Sequence, residues 1–170
     1  MTAIATKPFI LTRVFDAPRD IVFKAWTDPD QLNKWFGPKD FPLSFSKMSQ
    51  LQPGGTFHYT MDLPNGSKMW GKWTFVEIEP PERLVTIVSF SDENGGVTRH
   101  PFSPTWPLKT LSTAVFTEQG NKTLLTLQWE ALEPTEEERK TFDEGHASMS
   151  QGWGGTMDQL DTYLKNLQGN

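Results

Sequence analysis

The side chains best suited to proton-transfer chemistry are few: His58, His100, His146, Tyr59 and Arg13. The spacing puts His58 on the polar face of a strand, His100 in a long loop and His146 on the apolar face of a long helix. None of the three stands in the H-E-x-x-H spacing that lets one helix face hold zinc, so no metal site is expected. There are no cysteines. That excludes thiolate metal sites, thiol catalysis and a disulfide framework, and it suits a reducing compartment. No G-x-S-x-G segment offers a nucleophile elbow. Pro53-Gly54-Gly55 reads as a hairpin turn, not as a loop that cradles phosphate. Glu77, Glu79 and Arg83 read as solvated or strand-pairing charges, and Glu136 to Arg139 as a solvated helix start. An enzyme working by proton transfer would draw on Tyr59, His146 or Arg13, but no catalytic set, cofactor or metal is assigned.

Two other features point to binding. Twelve Phe, seven Trp and two Tyr are packed into a chain that is only 36% hydrophobic. A core made of few, large rings leaves irregular gaps, and aromatic walls are typical of ligand pockets. Trp26, Trp35, Phe36, Phe57, Tyr59, Trp73, Trp129 and Trp153 come from separate segments and can converge on one space. Gly145, Gly152, Gly154 and Gly155 fall in a segment that is otherwise helical. Each costs about 1 kcal/mol relative to Ala in a helix interior. Close approach to another element, missing volume beside a cavity, or a kink near 152 to 155 would each account for them.

The elements that must position these residues follow from periodicity and turn chemistry. Residues 9 to 16 read as a strand with Phe9, Leu11 and Phe15 near one face. Pro18 and Asp20 open a short helix with Ile21, Val22, Ala25 and Trp26 on its apolar side. Asp28-Pro29 caps a second, stopped by Phe36-Gly37-Pro38. Strands follow over 41–51, 56–62, 68–78, 84–90, 110–118 and 122–130, with a long loop at 91–109 that holds Gly95-Gly96 and three prolines. Phe102 and Trp106 of that loop are candidates to fold over a cavity mouth. Thr135 to Glu138 forms a capping box. Phe142, His146, Met149, Trp153, Met157, Leu160, Leu164 and Leu167 then give one continuous apolar stripe, a helix of ~30 residues and ~45 Å. Hairpin connections imply an antiparallel sheet of seven strands, and only the long helix has enough apolar surface to cover it. The fold class is α+β.

With 170 residues the chain fits one domain. Its net charge of −5 argues against nucleic acid or an anionic membrane as partner. It has no apolar run of membrane-spanning length. The start, MTAIATKPF, lacks the basic and apolar regions of a secretory signal, so a cytoplasmic location is expected.

The segments FDAPRDIVFKAWTDPDQLNKWFGP, LQPGGTFHYTM, EIEPPERLV and GWGGTMDQLDTYL, in this order and spacing, resemble the START-like superfamily, also called Bet v 1-like or polyketide cyclase and lipid-transport proteins. More closely, they are similar to the family named for homology to the activator of heat-shock-protein-90 ATPase. The resemblance spans residues 8–167. It implies a helix-grip fold, in which a curved seven-stranded antiparallel sheet wraps a long C-terminal helix and two short helices follow the first strand. It also implies an apolar cavity between helix and sheet, in a family of binders with a minority of enzymes. The chaperone role belongs to relatives with an additional domain, for which 170 residues leave no room.

The expected function is binding of a small apolar or aromatic molecule. The expected cavity residues are Trp26, Trp35, Phe57, Tyr59, Trp73, Trp129, His146, Met149, Gly152 and Trp153. The cavity is expected between the long helix and the strand bearing Trp129. A cyclase- or aromatase-like enzyme acting on a polyketide-like or aromatic substrate is the first alternative, and a chaperone-related partner module the second. A monomer or weak homodimer is expected.

Overall fold

The computed structural model describes residues 7–37 and 41–169. Pro38 and the stretch read for a secretory signal, apart from its last residues, lie outside them. Strand β1 (Phe9–Phe15) leads into helices α1 (Arg19–Thr27) and α2 (Pro29–Trp35). Strands β2 (Leu43–Met48), β3 (Thr56–Asp62), β4 (Lys68–Glu79), β5 (Arg83–Ser91), β6 (Val97–Thr98), β7 (Thr110–Gln119) and β8 (Lys122–Ala131) follow. Helices α3 (Glu136–Glu144) and α4 (His146–Leu167) close the order. All strands pair antiparallel, in the order β1-β8-β7-β5-β4-β3-β2, with β6 beside the end of β5. This is a helix-grip fold with a seven-strand path and a two-residue eighth strand. The extra strand sits inside the 91–109 segment that reads as loop: Gly95 turns it with φ +81°, and Phe90 and Ser91 pair with Thr98 and Val97.

Local chemistry explains the short helices. Asp28 accepts the Asp30 amide at 3.0 Å as N-cap of α2, with Pro29 at the first helical position. Pro18 is the N-cap of α1, so the helix starts one position later than the sequence implies. The indole N–H of Trp35 donates to the Ala25 carbonyl at 3.0 Å and locks the two helices together.

The C-terminal helix is two helices. The capping box at Thr135 and Glu138 is present, with both amides satisfied. The break comes at Gly145, not at 152–155. A Cβ on Gly145 would lie 3.0 Å from the Trp106 ring and 3.2 Å from the Thr141 carbonyl oxygen, so this glycine permits a close approach. Glu138 is buried, not solvated, and pairs with Arg99. Burial works against its charge, but the Thr135 amide and Arg99 outweigh it and hold the carboxyl below its usual range. The apolar stripe of α4 is only half used. Met157, Leu160 and Leu164 are fully buried on the sheet, each worth about 1.5–3 kcal/mol, whereas Leu167 is 51% exposed.

The rest of the grip is polar and aromatic. Gln159 donates to the carbonyls of Trp35 (3.3 Å) and Gly37, and Tyr163 donates to Gln31 at 3.0 Å. Arg13 pairs with Asp158 at 2.6 Å. Trp26 stacks between Trp73 of β4 (6.3 Å, 22°) and Trp153 of α4 (6.0 Å, 15°). Trp153 meets Trp129 of β8 edge-on at 5.6 Å. Trp26 is 2% exposed, so Trp26→Ala is expected to lower unfolding free energy by about 3–5 kcal/mol in denaturant titration. A loss under about 1 kcal/mol would mean that the stack does not hold the helices to the sheet.

Candidate functional site

Inward-facing residues of a closed core should be dry. Val88, Met61, Met69, Phe90 and Trp129 point inward from the sheet yet remain half-exposed. The reason is a cavity of about 530 Å³ between the sheet and the N-terminal half of α4. Its sheet wall comes from Tyr59 and Met61 of β3, Met69 and Gly71 of β4, Val88 and Phe90 of β5, Thr110 of β7 and Trp129 of β8. Phe36, Gly37 and Phe41 close one end. His100, Ser103, Trp106 and Pro107 close another from the 97–109 segment. Gly145, Ser148, Met149, Gly152, Trp153 and Thr156 share the roof, spaced as one face of a helix.

Two glycines make room in different ways. Gly71 lies opposite Tyr59 in the sheet, and a Cβ there would overlap the Tyr59 ring. Its bare backbone lets that ring lie flat and keeps it out of the cavity. A Cβ on Gly152 would meet nothing within 4 Å. The same is true at Gly154 and Gly155, so none of the three serves close helix–sheet contact.

The wall is electrostatically quiet. Among the described residues that line it, none is Asp, Glu, Lys or Arg. Tyr59 and His100 are the titratable groups. Burial pushes the Tyr59 phenol well above its ordinary value, so it stays protonated and can donate a hydrogen bond. The Phe102 amide donates to His100 Nδ1 at 3.0 Å, which leaves the proton on Nε2. Thr156 and Thr141 turn their hydroxyls to their own helices, at 3.1 Å to the Gly152 carbonyl and 3.0 Å to the Glu137 carbonyl. Among the described residues, no three His, Asp or Glu side chains are grouped to hold a metal ion.

Tyr59, Trp129, Met149, Gly152 and Trp153 of the sequence-derived set line this cavity. Trp26 and Trp73 do not; with Trp129 and Trp153 they bound a separate void of about 10 Å³. Trp35 and Phe57 are corrected to solid core, at 1% and 0% exposure. Trp35 is spent on the α1–α2 clasp, and Phe57 packs on Trp73 at 5.2 Å and Tyr59 at 5.4 Å. His146 is also off the wall, edge-on to Phe9 (5.9 Å) and Phe142 (5.3 Å). The break at Gly145 moves it from the stripe into a contact with β1. Arg13, engaged with Asp158, is likewise outside. Of the loop aromatics, Trp106 reaches the cavity and packs on Phe142 at 5.5 Å, while Phe102 is 68% exposed. Sequence reasoning passed over Met61, Met69, Val88 and Phe90 as lining residues, although strand alternation puts each on the Tyr59 or Trp73 face. It also passed over His100, which no periodicity signals.

His100 generates a pH expectation. Burial of its ring, tilted against Phe90 with centroids 4.4 Å apart, holds its pKa below the ordinary 6.5. The folded chain therefore takes up this proton later than the unfolded chain. The contribution is present above about pH 6.5 and is lost as pH falls toward the folded value. Urea midpoints compared at about pH 7.5 and about pH 5 should fall more for the wild type than for His100→Asn. Equal falls in both proteins would contradict this assignment.

A family model described as Activator of Hsp90 ATPase homolog 1-like protein matches residues 16–165. No curated protein matches the chain. Among solved structures, a protein from Arthrobacter aurescens is similar at 29% identity, over 94% of this chain and 86% of that one, with a TM-score of 0.77. A protein from Nitrosomonas europaea is similar at 25% identity, over 96% and 97%, with a TM-score of 0.75. A Silicibacter pomeroyi protein named AHSA1 shares the fold at 17% identity, over 93% and 97%, with a TM-score of 0.69. Cavity, grip and matched sequence agree, and the chain belongs to the Activator of Hsp90 ATPase homolog 1-like family of the START/Bet v 1-like superfamily.

Proposed function

We propose that this protein binds a small, uncharged hydrophobic or aromatic molecule in the cavity between sheet and α4, with residues 8–167 acting as one binding domain. The observation that carries this reading is a space of about 530 Å³ walled chiefly by aromatic and Met side chains, with Ser and Thr between them and no charged residue among those described. That volume lies within the ~300–1,000 Å³ of small-molecule sites. The half-exposed apolar walls face one another, so one ligand removes several from water at once, at about 25 cal/mol per Å².

The alternatives ask for features that the molecule does not supply as well. A cyclase- or aromatase-like enzyme needs a general acid and a base in reach of the bound molecule. Tyr59 is held protonated, His100 Nδ1 is occupied by an amide, and Arg13 and His146 lie off the wall. A chaperone-related module needs a contiguous apolar patch on the outer face. Among the described residues, the exposed Ile10 and Val14 sit on β1, Val76 on β4 and Phe45 on β2, strands that are not neighbours in the sheet.

Gly152→Leu tests the reading. The open space above Gly152 accepts the side chain, and the helix gains up to ~1 kcal/mol. Affinity for a neutral naphthyl fluorophore should fall on the order of tenfold or more while the melting temperature holds or rises. Destabilisation by about 1–3 kcal/mol with fluorophore binding intact at low temperature would overturn it.

A further inference from the structure

Most hydroxyls deep in the cavity wall are already spent. Thr110, Thr141 and Thr156 turn theirs to the backbone carbonyls of Val88 (3.4 Å), Glu137 (3.0 Å) and Gly152 (3.1 Å). Ser89 stands between the inward-facing Val88 and Phe90, so its side chain points to the outer face. The Tyr59 phenol is different. It is 7% exposed, and its proton has no acceptor among the described residues. The Trp73 indole N–H beside its oxygen can only donate; it can meet a lone pair of the phenol and cannot take the proton. Phe36 at 5.2 Å and Phe57 at 5.4 Å, packed on the ring, hold no acceptor either. The position of the hydroxyl is fixed by its neighbour. Tyr59 is directly opposite Gly71 in the sheet, and a Cβ on Gly71 would overlap Cζ and the hydroxyl oxygen of the ring. The hydroxyl therefore lies over Gly71, on the face of β4 that forms the cavity floor, with Phe90 beyond it on β5. The unpaired indole nitrogens of Trp26 and Trp129 are sealed from solvent, whereas the Tyr59 oxygen is not among the sealed, unpaired atoms. A buried donor without an acceptor is costly and native interiors leave few, so one held open at the floor of a cavity points to an acceptor from outside the chain.

We propose, resting on the ligand-binding reading above, that Tyr59 is the specificity-determining residue of the cavity, donating its hydroxyl proton to a carbonyl-type oxygen of a neutral aromatic or apolar ligand seated over Gly71. The bare backbone of Gly71 gives that oxygen its place, because any side chain there would push the phenol aside. The surroundings select the kind of oxygen. An alcohol or phenol would bring a proton of its own, and Phe36, Phe57 and the Trp73 indole offer nothing to accept it. A carboxylate would be left without a counter-charge, since no cation lines the cavity among the described residues. A ketone, aldehyde or ester oxygen accepts and has nothing left to donate.

The test uses methyl naphthyl ketone and its isopropenyl analogue, in which a methylene group replaces the carbonyl oxygen at nearly the same shape. Tyr59→Phe removes the hydroxyl and keeps the ring. It should weaken the ketone about tenfold and leave the hydrocarbon within about twofold. In the wild-type protein, which needs no variant to fold, the infrared carbonyl stretch of the bound ketone should lie below its value in dry alkane, and Tyr59→Phe should return it toward that value. If both probes bind the wild type but the stretch is alkane-like, or is the same in the variant, the role of Tyr59 is overturned while the binding cavity stands. The same holds if Tyr59→Phe weakens both probes equally. If neither probe binds the wild type, the ligand-binding reading fails and the role of Tyr59 fails with it.

Discussion

The stack of Trp73, Trp26 and Trp153 sets the distance between sheet and helix. One ring comes from β4, one from α1 and one from α4, and their planes lie 15° to 22° apart. Aromatic pairs of this kind contribute about 0.5–1.5 kcal/mol each beyond the burial of their area. They are also rigid, so the N-terminal half of α4 cannot settle onto the sheet past them. The C-terminal half can, because Met157, Leu160 and Leu164 are slender enough to pack on β strands directly. The helix thus leans on one end and is propped at the other, and the cavity is the wedge that this leaves.

The remaining contacts keep the wedge open and shape it. Gly152 contributes no side chain to the roof, and Gly71 lets the Tyr59 ring lie against the floor. The helix break at Gly145 admits Trp106, whose segment is strapped to α3 by Arg99 and Glu138 and by the 2.7 Å contact of the Thr105 and Thr141 hydroxyls. A sealed, empty void of this size at ~24 cal/mol per Å³ would exceed the stability of most domains. A cavity that persists must therefore be filled by water or by a ligand, and apolar walls favour the ligand.

Much of this frame is legible from residue order. Alternation in TFHYTMD gives β3 to the residue, and Asp28-Pro29 and Thr135 to Glu138 are caps whose side-chain chemistry is local. Family resemblance gives the grip and the existence of a cavity. What is not legible is which ring fills core and which faces space. Trp35 and Trp129 are the same residue type, and type alone does not separate them. One is fully buried because its N–H found a carbonyl ten residues away, and the other stands at a wall with its N–H unpaired. The helix break was equally hidden, since Gly145 is one of four glycines and only the approach of Trp106 singles it out. His100 enters through a loop, where no periodicity points to a face.

Backbone amide shifts of the isotope-labelled protein, titrated with a neutral naphthyl compound, test the central claim most directly. Saturable shifts should concentrate at residues 145–156 of the roof, 88–90 of β5 and 59–61 of β3, and spare Ile10, Val14 and Phe45 on the outer face. Shifts confined to the outer face, or none at concentrations near the solubility limit of the compound, would contradict the account.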